Sequence, residues 1–159
     1  MDGYFGVNYH MPKPQHGRNR FRAYDSANGF ALAIAGVNLA FNGDEFGGTL
    51  DLRFGPAALA LAGDDADLGL WPVKQAYATW RPGGADSVFS LDFGKFDTIY
   101  GAEVAESHLN FNYSRGLLYW LARPLFHTGL RATAEFSPQV WLTALAVNGW
   151  NNSQDNNQM

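Results

Sequence analysis

Two carboxylates three residues apart, Glu103 and Glu106, lie in the longest polar stretch of the chain, with Lys95, Arg115 and Arg131 around them in sequence. Opposed acidic and basic side chains across a narrow aqueous passage set up a transverse field that orients polar solutes, and patches of charge are how pores select ions. These five residues are therefore candidates for a constriction, the two glutamates opposed by the three cations. Asp51, Arg53, Asp92 and Glu135 fall with Arg131 on the polar side of alternating segments and are candidates for lining the same passage. The plainer reading of residues 97–127 is a solvated surface loop with ordinary charges.

Other chemistries fit less well. Paired carboxylates can cut glycosidic bonds, but a pair three apart in a polar loop is common. Asp64, Asp65 and Asp67 lack the ligand order and closing glutamate of a calcium loop and read as a solvated turn. His10, His16, His108 and His127 are dispersed without metal-ligand spacing; His127 reads as an interface or hydrogen-bonding residue. No nucleophile elbow and no phosphate-cradling glycine loop occurs. Cys is absent, which removes disulfides, thiolate metal sites and thiol catalysis. No catalytic residue, metal or cofactor is expected.

The elements that must position the charges are strands. Residues 46–54 alternate Phe46, Gly48, Leu50, Leu52 and Phe54 against Gly47, Thr49, Asp51 and Arg53. Residues 129–136 repeat the pattern, with Leu130, Ala132, Ala134 and Phe136 against Gly129, Arg131, Thr133 and Glu135. Period two with one apolar and one polar face is the mark of a half-buried strand. Seven segments qualify: 3–9, 30–41, 46–55, 73–80, 87–96, 128–136 and 140–148. The second changes parity between Ile34 and Val37, which calls for a bulge near Gly36 or, as the alternative, a short Ala-rich helix.

The connections carry more information than the strands. They run long (10–29), short (42–45), long (56–72), short (81–86), longest (97–127) and minimal (137–139), and residues 149–159 open another polar stretch. Long and short links in strict alternation put every long loop at one end, as in a transmembrane barrel with short turns on the periplasmic side and long loops outside. Tyr9, Phe41, Phe46, Phe54, Trp71, Trp80, Phe136, Trp141 and Trp150 lie near strand ends, where interfacial aromatic girdles sit; in a soluble protein they would cap a core.

Composition agrees. Charged residues make up 16% and aromatics 15%, with 18 Gly, a balance that favours sheet over helix. The net charge of −4 offers no basic footprint for nucleic acid. No apolar run reaches the ~20 residues of a spanning helix, and Met1-Asp2-Gly3 does not begin a secretion signal, so a leader is expected to have been removed or to lie upstream.

From Val73 onward the chain resembles the OmpL-like β-barrel porin family of Gram-negative envelopes. The resemblance is carried by Val73-Lys74-Gln75-Ala76-Tyr77-Ala78, Asp92-Phe93-Gly94-Lys95-Phe96, the run from Gly101 to Ser107, Asn110-Phe111-Asn112-Tyr113-Ser114-Arg115, His127-Thr128-Gly129-Leu130-Arg131, and Val147-Asn148-Gly149-Trp150-Asn151-Asn152 followed by Asp155-Asn156-Asn157. It covers about half the chain. It implies an all-β, antiparallel up-and-down transmembrane barrel in the bacterial outer membrane, in contact with outer-membrane lipid, passing small hydrophilic solutes or ions, with homo-oligomers possible. It supplies no catalytic residues. About seven strands cannot close a bacterial barrel, which needs an even number of at least eight, so residues 1–159 read as one β-barrel domain, the N-terminal portion of a larger, here incomplete, barrel. Two other readings stay open: a soluble small-molecule or sugar-binding β-barrel or sandwich, and a structural outer-membrane barrel with a blocked lumen. Loop alternation disfavours the soluble reading.

Overall fold

The computed structural model describes residues 1–6 and 29–155. Seven strands form one antiparallel sheet in sequence order: β1 (Asp2–Gly6), β2 (Gly29–Asn42), β3 (Phe46–Phe54), β4 (Val73–Trp80), β5 (Phe89–Asp97), β6 (Phe126–Ser137) and β7 (Val140–Val147). Two short helices lie in the long links, α1 (Pro56–Ala60) and α2 (Leu117–Leu121). The order is a pure up-and-down meander, so alternate connections lie at opposite ends. No pairing joins β1 to β7 among the described residues, and the sheet is open. The 10–29 link, His10, His16 and Tyr9 lie outside the described residues, apart from Gly29 at the start of β2.

The short connections are tight. Gly43 N donates to Phe46 O at 3.0 Å and closes the β2–β3 turn, and β6 passes to β7 through Pro138 and Gln139 alone. In the middle of the sheet, Gly94 and Gly129 pair across β5 and β6 with φ of 137° and 152°. A Cβ at either would lie 2.2 Å from a carbonyl oxygen of the neighbouring strand, Ala76 O or Ala146 O. Only glycine allows so close a backbone approach, which lets the sheet coil strongly there.

The second segment is strand throughout, not helix. Its irregularity falls at Ala33, opposite Asp2/Gly3, and not near Gly36, where pairing with β3 is regular. The shift reverses which side the apolar residues take: Phe30 and Leu32 stand exposed before it, Val37, Leu39 and Phe41 after it. The reason is packing. Ala33 and Ile34 are both buried, and with Ala57 of α1 they form the one compact apolar cluster among the described residues, joined by Leu61. Pro56 at the start of α1 supplies a φ already suited to a helical first turn.

Elsewhere the sheet has no conventional core. One face exposes Leu39, Phe41, Phe46, Leu50, Phe93, Leu130 and Leu142, a contiguous apolar surface that marks an interaction with something other than water. The other face carries charge and is largely buried: Asp51, Arg53, Thr79 and Asp92 are each below a tenth exposed. Among the described residues no helix is long and apolar enough to cross a membrane, which says nothing of strands.

Candidate functional site

Strand register brings the polar side chains into a ladder. Asn38 of β2 lies opposite Asp51 of β3, which lies opposite Gln75 of β4; Thr79 of β4 lies opposite Asp92 of β5, which lies opposite Arg131 of β6. Neighbours on one face at this spacing interact directly. Gln75 Nε2 donates to Asp51 at 2.7 Å. Thr79 donates its hydroxyl to one oxygen of Asp92 at 2.6 Å, and Arg131 donates Nε and Nη2 to the other at 2.8 and 2.7 Å. The Arg131 guanidinium also lies over the rings of Phe96 and Tyr77, 4.6 and 5.3 Å from their centres.

At the long-loop end, Glu106 reaches down from the 98–125 link to this face. Its Oε1 accepts from Arg53 Nε and Nη2 at 3.1 and 3.0 Å and from Lys74 Nζ at 2.8 Å, and Oε2 accepts from Lys74 at 3.0 Å. Arg53 spends its other nitrogen on Asn38 at 2.6 Å, and Lys74 also pairs with Asp97 at 2.9 Å. Burial pushes the Glu106 carboxyl up, but the hydrogen bonds and charges of Lys74 and then Arg53 outweigh it and hold the group below its ordinary value.

Lys74 was not among the sequence candidates, and its place has a definite cause. Gln75, Tyr77 and Thr79 face the ladder, so strict alternation would turn Lys74 away with Ala76 and Ala78. The β3–β4 register slips between Asp51 and Leu52, whose partners are Gln75 and Val73. Lys74 is the extra residue, and the bulge swings it to the polar side. A lysine at an apolar parity was the available signal.

The charged candidates take these partners in the structure. Glu103 and Glu106 do not act together: Glu103 accepts the backbone N–H of Gly116 at 3.0 and 3.1 Å. Arg115 is buried inside its own loop, donating to the carbonyls of Val104, Ala105 and Tyr113. With Asn110, which bonds Val104 and Glu106, it shapes the turn that presents Glu106. These carbonyls lie outside the strands, and the guanidinium satisfies them. Arg131 is held by Asp92, directly opposite it on β5. Glu135 is exposed at the short-turn end.

Lys95 does not oppose either glutamate. It has the parity of Leu91 and Phe93, and its Nζ donates to Asp65 at 2.6 Å while lying 3.9 Å from the centre of the Phe126 ring. Asp65, read from sequence as part of a solvated turn, is fully buried. A 3-10 turn at Gly63–Ala66 points it inward, where Ser153 donates N–H and hydroxyl to it at 2.8 and 2.6 Å. Residues 151–153 are thereby docked, not free: Asn151 O accepts from Asp64 N, its Oδ1 accepts from Leu125 N, and Ser153 bonds Thr128. His127 is buried and 3.3 Å from the Thr98 hydroxyl, as its hydrogen-bonding reading expects. No group of metal-ligating side chains occurs among the described residues.

Cavities lie along the charged face. One of about 370 Å³ lies between Asn38, Asp51, Arg53, Lys74, Glu106 and His108. Another, of about 400 Å³, lies toward the short turns beside Asp92, Arg131, Thr133, Glu135 and Trp141. Such a face can hold water and polar solutes along a row of donors and acceptors that are individually neutralised.

Among known families, the model described as OmpL-like beta-barrel porin-2 matches residues 1–159, the whole chain. No curated protein matches it, and no solved structure does.

Proposed function

The chain belongs to the OmpL-like beta-barrel porin-2 family, and from that premise we propose that it forms part of a passive channel for small hydrophilic solutes or ions across the bacterial outer membrane. The observation that carries the reading is the loop residue Glu106, fixed by Arg53 and Lys74 over a charged face that still keeps a cavity of about 370 Å³. A loop folded onto the polar side of the sheet narrows a passage without filling it. The opposite face suits lipid: an arginine on the lipid side costs about 2–4 kcal/mol at the bilayer midplane, and Asp51, Arg53, Asp92 and Arg131 all avoid that side. On this reading the long links face outside and the short turns the periplasm.

Both outer edges, β1 and β7, lack a partner strand among the described residues. In a bilayer each unsatisfied backbone group costs several kcal/mol, so the sheet is one arc of a closed barrel, completed by further strands or by another copy. No step of this function asks for a cofactor or for catalysis.

The test is single-channel conductance of the refolded full-length protein in a planar bilayer. Discrete, salt-dependent steps are expected. Verified insertion without conductance contradicts the open channel and leaves a structural barrel with a blocked lumen.

A further inference from the structure

We infer that the charged face carries a saccharide subsite near the short turns, built on Trp141 and Glu135; the inference deepens the channel reading and rests on it for the solute's route. Among the aromatics at the strand ends, Trp141 breaks the pattern. Phe41, Phe46 and Trp80 lie on the apolar side of their strands, but Trp141 pairs in register with Glu135, two residues along from Thr133–Thr143. Those threonines bond through their hydroxyls at 3.3 Å, which fixes the side of the sheet they share with Arg131. Trp141 therefore lines the 400 Å³ cavity and stands 63% exposed within reach of it. A tryptophan sited for lipid contact would have taken the position of Leu142, on the other side.

The groups around the ring are what a sugar needs. The apolar face of a pyranose stacks on an aromatic ring, and its hydroxyls take both donors and acceptors. The Glu135 carboxylate makes no hydrogen bond or ion pair among the described residues, its backbone N–H being engaged by Val88 O at 2.8 Å, so both carboxylate oxygens are open to a pair of vicinal hydroxyls. Thr133, Thr143 and Ser90 add hydroxyls that donate or accept. Arg131 keeps Nη1 without a partner while its other nitrogens hold Asp92. The same groups argue against an organic cation. A single ring makes no aromatic cage, and the Arg131 guanidinium repels positive charge. They also argue against an anion, since Glu135 and Asp92 outnumber Arg131. The ligand class that remains is a neutral saccharide, with a weak, millimolar affinity suited to release.

Saturation-transfer NMR with maltose as probe, on the refolded full-length protein in a sugar-free detergent, tests this without relying on conduction. Transfer to the ring protons is expected for the native protein. Trp141→Leu should abolish it, Trp141→Tyr should retain it, and Glu135→Gln should weaken binding by roughly tenfold, the loss of one charge-assisted hydrogen bond. Glu135→Gln and Trp141→Tyr keep the test readable if Trp141→Leu fails to fold. No transfer from a folded protein overturns the subsite, as does transfer that survives in folded Trp141→Leu, or competition by tetramethylammonium. Conductance of the same preparation separates the two readings. Conduction without transfer refutes the subsite alone, and transfer without conduction supports the subsite while refuting the channel.

Discussion

At the long-loop end of the sheet, Asp65, Lys95, Glu106 and Arg53 are almost withdrawn from water, and every one has an ionic partner. At the short-turn end, Glu135 and Trp141 stand open and the Glu135 carboxylate has no partner among the described residues. The contrast follows from the connections. Long links supply enough chain to fold back and bury charge, and buried charge is tolerated only when paired and hydrogen-bonded. The short connections supply little chain to cover the face, so side chains there stay solvated. Buried, paired charge is therefore concentrated at one end and solvent-exposed side chains at the other.

The largest expected effect lies in the buried pair at the long-loop end. Asp65→Ala leaves Lys95 charged without its anion and removes the anchor of Ser153; loss of one partner of a buried pair costs about 3–5 kcal/mol. Urea unfolding of the refolded protein in detergent should show this, while Glu135→Ala, at the open end, should shift stability by no more than about 0.5 kcal/mol. Equal losses at both ends would erase the contrast.

A smaller effect separates the two faces. Leu50→Arg should impair membrane assembly by about 2–4 kcal/mol, whereas Thr49→Arg, on the charged side, should be far better tolerated. Folding yields into vesicles give the comparison, and equal yields would mean that the faces are assigned wrongly.

Glu106→Gln should cost less, about 1–3 kcal/mol, because Arg53 keeps Asn38 and Lys74 keeps Asp97. Its pH dependence has a fixed sign. The folded carboxyl lies below its ordinary value of 4.5, so its contribution is fully present above that pH and is lost as pH falls from there through the lowered value. Unfolding midpoints measured from pH 6 down to pH 3 should fall less steeply in Glu106→Gln than in the native protein.

Strand positions were legible because period-two alternation survives in single segments such as 46–54. The end at which the long links lie was legible from their order alone. What sequence could not supply was anything set by register. The bulge at Ala33 was signalled by the parity change but placed three residues late, because its position is decided by α1 packing on Ala33 and Ile34. Lys74 escaped notice because only the slip between Asp51 and Leu52 turns it inward. Asp65 looked solvated because its partners, Lys95 and Ser153, lie 30 and 88 residues away. Glu106 stands out in the sequence as a charge in the longest link, but its cations are Arg53 and Lys74, contacts between a loop and two strands that spacing in the chain does not reveal. Trp141 was grouped with the aromatics at strand ends because its side of the sheet depends on pairing with Glu135.

The central claim is that the charged face lines a water-filled path and the apolar face does not. The chain has no Cys, so single cysteines can be placed at Thr49 and Leu50, adjacent residues on opposite faces of β3, and treated with a water-soluble, charged thiol reagent during single-channel recording of the full-length protein. The account predicts stepwise loss of conductance for Thr49→Cys and none for Leu50→Cys. Loss confined to Leu50→Cys, or conductance unchanged at both positions after labelling is verified at Thr49→Cys, would contradict it.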